Sequence, residues 1–144
     1  MRRTAYGLSW IEFVGGAGGG NLGVCAGWVW YAPFLFGGVW KKANGFGADE
    51  LPAADAKIFL LSFVLSLVMA LNLAMFLNDA KTNLAWGATA GFLAGFGWGA
   101  MGIGIVSLFE RRPWSYVLVN GEYLTVALVV MGAILGGWRS FWID

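Results

Sequence analysis

The chain has 144 residues, of which 59% are hydrophobic and 12% charged. A water-soluble domain carries roughly twice that charged share, so the composition excludes one and reads as a single-domain integral membrane protein. No histidine, one cysteine (Cys25) and a net charge of +1 exclude a His-based catalytic triad or haem site, a disulfide, a cysteine metal cluster and a basic nucleic-acid face.

The expected fold is all-α, a four-helix antiparallel membrane bundle, because four stretches reach the roughly 20 apolar residues that a spanning helix needs. The first runs over about 9–31. Arg2 and Arg3 precede it as in a signal peptide, but no small-residue cleavage pattern follows, so it reads as an uncleaved helix. Val24 before Cys25 is the wrong residue for a lipoprotein box. Glu12 lies about one turn in, and Gly15, Gly19, Gly23 and Gly27 recur at every fourth position.

The next segment, 33–42, is expected at the membrane surface. Pro33 disfavours a helical conformation at Ala32, so the chain bends after Tyr31. Phe36, Gly37 and Trp40 then lie along the interface, with Lys41 and Lys42 reaching headgroups. The second span is 58–78, with Ser62, Ser66, Ala70 and Ala74 four apart, and with Asn72 expected to make an interhelical hydrogen bond. The third is 84–109. It carries Gly87, Gly91, Gly95 and Gly99, and a mid-span Trp98 expected to pack against glycines of a neighbour. Pro113 stops it. The fourth is 116–138, with Asn120, Glu122, Gly132 and Gly136.

Residues four apart share a helix face, and a stripe without side chains lets two backbones approach closely. The glycine stripes therefore predict the helix contacts. The polar links at 78–83 and 110–113 are short, which makes consecutive helices antiparallel neighbours. Trp10, Trp86, Trp138 and Trp142 fall at one end of this arrangement, and Trp30, Tyr31, Trp40, Trp114 and Tyr116 at the other, as two interfacial belts. Four basic residues at one end against five at the other leave orientation open. The loops with paired basic residues are placed in the cytoplasm.

An acid inside a span is a functional candidate by default. Glu122 is the first of these, with Tyr123, Asn120 and Tyr31 as the donors nearest in depth. It is either a proton or cation carrier, or a neutral acid donating one hydrogen bond.

The run Trp30-Tyr31-Ala32-Pro33-Phe34-Leu35-Phe36-Gly37-Gly38-Val39-Trp40 resembles the signature of the domain-of-unknown-function seventeen-sixty-one family of small bacterial membrane proteins. Ala32 stands where that pattern has serine. The stretch from Gly87 to Gly95 is similar to the family's glycine-rich third helix. Asn120-Gly121-Glu122-Tyr123, Met131 to Leu135 and Trp138 are similar to its closing helix. The resemblance implies a four-helix membrane fold and no particular activity.

The expected function is that of a structural or accessory subunit of a larger complex in the bacterial inner membrane. It has no cofactor and no metal, and its partners are the lipid bilayer and either further copies or other membrane subunits. The alternative is a small dimeric proton- or cation-coupled transporter or channel. Ile11-Glu12-Phe13-Val14-Gly15 is faintly similar to the first-helix motif of small multidrug exporters. An enzyme is not expected, since no nucleophile and base are paired in the sequence.

Overall fold

A computed structural model describes residues 27, 29–32, 34–46 and 56–143 of the chain. Most of the expected first span, with Glu12, Gly15, Gly19 and Gly23, and also Pro33, lies outside the described residues. Those described are helical, with no strand among them.

Helix α1 spans Gly37–Asn44 and α2 spans Ala56–Phe76. Helix α3, Leu84–Ala94, continues through a π-helical turn, Gly95–Ala100, into α4, Met101–Phe109. The closing helix α5 is Trp114–Ile143. Ala56–Phe76, Leu84–Phe109 and Trp114–Phe141 are long and apolar enough to cross a membrane.

Local chemistry sets the ends. The chain turns at 31–36, held by Gly37 N–H to Ala32 O (3.1 Å), before α1 begins. Gly45 closes α1 in the left-handed conformation (φ 73°) that glycine adopts without strain, and its N–H returns to the last turn. The Asn83 side chain caps α3 by accepting from Trp86 N–H at 2.9 Å. Arg111 takes a positive φ (55°) to turn the chain after α4, and the Arg112 N–H bonds back to Ser107 O at 2.9 Å.

Helix α5 is the hub. The α3–π–α4 rod lies antiparallel along it at backbone distance. A methyl group added at Gly87 would overlap the Gly132 carbonyl, and one at Gly91 the Leu128 carbonyl. One at Gly95 would come within 2.6 Å of Thr125 Cα. Gly136 sits equally close to Asn83 O and 3.1 Å, by the same measure, from Gly87 Cα.

At the next step the stripe departs from the expected spacing. The residue that meets Gly121 is Ala100, five positions after Gly95, while a methyl group at Gly99 would meet the Leu124 side chain and no backbone of α5 among its nearest neighbours. The π turn inserts an extra residue into the helical period, so the contact moves from Gly99 to Ala100. Trp98 also differs from expectation. It is 72% exposed and meets Phe76 edge-on at 6.1 Å, rather than packing on glycines.

The short 77–83 link does not make α2 and α3 close partners. Helix α2 packs on α5 instead, through Ala70, Leu73, Ala74 and Leu77 against Leu128, Met131 and Leu135. The glycine face of α3 is already occupied by α5. An apolar groove of about 390 Å³, lined by Leu73, Phe76, Trp86, Ala90, Leu93, Ala94 and Trp98, lies between α2 and α3. Only the second half of α2 is held this way. Ile58, Leu60, Leu61 and Leu65 in its first half are exposed.

Candidate functional site

Two clusters carry polar chemistry at the depth of the spans, and both are built on α5.

The first joins the expected interfacial motif to α5. Positions 116, 120 and 123 recur at helical spacing, so Tyr116, Asn120 and Tyr123 share one face of α5. The Tyr31 hydroxyl donates to Asn120 Oδ1 at 2.7 Å, and Asn120 Nδ2 donates to Tyr116 O at 2.8 Å within α5. Trp30 Nε1 donates to Val119 O at 3.1 Å. The rings interlock: Tyr31 meets Trp40 edge-on at 5.7 Å and Tyr123 at 5.2 Å, and Trp30 lies 4.5 Å from Phe36. Gly27 leaves room for the Tyr123 hydroxyl, which a methyl group there would approach to 2.9 Å. Gly37 is buried against Tyr31 O and Ala32 O, so the turn admits no side chain at that position.

This cluster forms one wall of a cavity of about 810 Å³. Ile58, Phe59, Ser62 and Ser66 of α2 form the opposite wall, and Phe34, Trp40 and Asn44 line it beside the turn and α1. The cavity exists because α2 leans on α5 only through its second half. Sequence reasoning placed Tyr31, Asn120 and Tyr123 at one depth, beside Glu122, but missed their convergence with Trp40 and Ser66 around one cavity. The 4–3 spacing of Tyr116, Asn120 and Tyr123 was the available signal.

The second cluster surrounds Glu122. Gly121 and Thr125 turn toward the α3–π–α4 rod, while Glu122 is exposed on the neighbouring face of α5. It lines a groove of about 400 Å³ between α5 and the π turn, with Trp30, Phe92, Phe96, Ala100, Met101 and Trp114 among the other walls. Phe92 and Phe96 stack with centroids 5.5 Å apart and planes 3° from parallel. Of the donors expected for Glu122, Asn120 and Tyr31 bond to each other; Thr125 Oγ1, which also lines the groove, donates to Gly121 O at 2.8 Å.

Asn72 also departs from expectation. It is exposed, and its Nδ2 donates to Val68 O of its own helix at 3.2 Å, and to no other helix among the described residues. Ser62 is exposed and Ser66 half-buried, whereas Ala70 and Ala74 are buried, so only the alanine half of that stripe is a contact. Among the described residues no group of three or more His, Cys, Asp or Glu side chains is placed to hold a metal.

No curated protein and no solved structure matches the chain. Residues 17–136 match a protein family of unknown function, a range that takes in the Trp30–Trp40 motif, the glycine stripes of α3 and α5, and Glu122. On that match, which covers most of its length, the chain belongs to the DUF1761 family.

Proposed function

We propose that the chain is a four-helix protein of the bacterial inner membrane that serves as a structural or accessory subunit of a larger membrane complex, with no catalytic part and no cofactor. The glycine stripes act as its helix contacts, and the first span completes the bundle. The observation that carries this reading is the polar lining of the first half of α2. Its Ser62 and Ser66 face Tyr116, Asn120 and Tyr123 across an open cavity. Lipid chains offer such polar groups no hydrogen bonds, whereas a helix from another subunit or a second copy does. The tight α3–α5 pair supports the same reading, since backbones in contact along several turns do not slide to open a path. Purification from native membranes in mild detergent is expected to yield a stable species well above the mass of a dimer. A lone monomer or dimer overturns the proposal.

A second reading, a small dimeric proton- or cation-coupled transporter or channel, is favoured by the exposure of Glu122 within a span. It requires pH-driven flux in vesicles that Glu122→Gln abolishes while the protein stays folded. Wild-type vesicles without any such flux dispose of it.

A further inference from the structure

Glu122 has no basic partner among the described residues. Glu122 stands eight residues into α5 (122 − 114). At 1.5 Å per residue that is about 12 Å along the helix axis, which places it inside the span Trp114–Phe141, past the interfacial Trp114 and Tyr116. The sequence has no Lys or Arg in 58–80, 82–110 or 113–138, and among the described residues no basic side chain is paired with Glu122. Arg112, near the start of α5, is committed to Glu110 at 3.3 Å and lies 5.3 Å over the Tyr116 ring. The groove is therefore open to a positive charge from outside the described residues.

The groove specifies what kind of charge fits. A bare metal ion needs about six oxygen ligands. The groove offers one carboxylate and a Thr125 hydroxyl already bonded to its own helix. Its other walls are Trp30, Phe92, Phe96 and Trp114, with Met101 and Val126 between them. Aromatic faces attract an organic cation through the ring quadrupole, most strongly where water is excluded. A volume of about 400 Å³ lies within the range of small-molecule sites.

We propose that the groove between α5 and the π turn binds a lipophilic organic monocation, with Glu122 as its counter-charge and the Trp30, Phe92, Phe96 and Trp114 rings as its walls. The π turn makes the site, because it moves the α5 contact onto Ala100 and leaves Phe92 and Phe96 stacked beside the groove. Binding at this groove does not depend on either reading of the protein's larger role. It uses the opposite side of the α3–α5 pair from α2, no residue of which lines it.

The test is equilibrium dialysis of radiolabelled tetraphenylphosphonium against the purified full-length protein in detergent. Saturable binding is expected, with one site per chain. Glu122→Gln should weaken it at least about tenfold while Glu122→Asp keeps most of it, the loss being that of a charge pair in a dry site. Val126→Trp leaves the carboxylate in place and fills the groove one helical turn away, and it too should abolish binding. Tetraphenylborate, the anion of the same shape, should not compete. Thermal melts and elution volumes identify which variants are folded, and either Glu122→Gln or Val126→Trp alone is decisive. The proposal fails if the wild type shows no saturable binding, if folded Glu122→Gln or folded Val126→Trp binds like wild type, or if tetraphenylborate competes equally. It also fails if Val126→Trp lowers the oligomeric mass of a protein that binds no probe, which would make the groove a seat for a second copy.

Discussion

Gly91 and Gly102 are both helical glycines in the same rod, and they have opposite reasons to exist. At Gly91 an added methyl group would run into the Leu128 carbonyl and the Val129 Cα, backbone atoms that cannot rotate away. At Gly102 it would meet nothing within 4 Å. Gly91→Ala is therefore expected to destabilise the protein by about 1–3 kcal/mol, as overpacking does. Gly102→Ala should be neutral or stabilise by up to about 1 kcal/mol through the helix propensity of alanine. Paired thermal melts in detergent check both, and equal shifts of the same sign would remove the account. The Tyr31 hydroxyl gives a third case. Tyr31→Phe removes its bond to Asn120 and should cost about 0.6 kcal/mol, the average for such bonds within membranes. A loss several times larger would mean that the ring cluster depends on that hydroxyl.

At the scale of elements, caps and turns place the helix ends where the residues indicate. Asn83 begins α3 because its side chain accepts the Trp86 N–H that the first turn leaves unpaired. Asn83→Ala is expected to lower stability by about 1 kcal/mol, with Asn83→Asp close to neutral. Equal losses for the two would assign Asn83 another role. Three of the expected spans were legible because hydropathy and length fix them. At Gly87, Gly91, Gly95, Gly132 and Gly136 an added methyl group would meet backbone atoms of the facing segment. Gly99 was misread because a regular four-residue period gives no sign of a π turn, which depends on how the rod settles against α5. Asn72 was misread for a related reason. Its amide finds a carbonyl on its own helix, and nothing in a single sequence tells that bond from one to a neighbour. The partner of α2 was equally hidden. A short link restricts where the next helix begins, but the match between Ala70, Ala74 and Met131 decides what α2 lies against.

For the whole molecule, the antiparallel rod and hub put the 77–83 link at one end and the 110–113 link, with the turn at 31–36, at the other. In a Cys25→Ala background, cysteines at Asn44 and Arg112 are expected to label from one side of the membrane, and cysteines at Lys81 and Ser140 from the other. Labelling of positions 44 and 81 from a single side would refute the topology. The functional candidates were partly legible at this scale. Glu122 and the Trp30–Trp40 motif stood out as residue types unusual for their depth. The aromatic groove beside Glu122 did not, because it combines side chains from three separated stretches of chain.

The bonds of Trp30 to Val119 and of Tyr31 to Asn120 each join residues 89 positions apart. A ribosome delivers the Trp30–Trp40 motif long before it delivers α5, so the motif meets the bilayer with neither acceptor yet made. By contrast, the α3–α5 pair is joined by a four-residue link and can close as soon as its second helix emerges. During synthesis the aromatic segment therefore waits for the start of α5, whereas the hairpin of α3 and α5 closes as α5 itself emerges. In that interval the interface itself must hold Trp30, Tyr31 and Trp40. A chain arrested before Val119 is expected to leave this segment open to protease, and one completed through Ile143 to protect it.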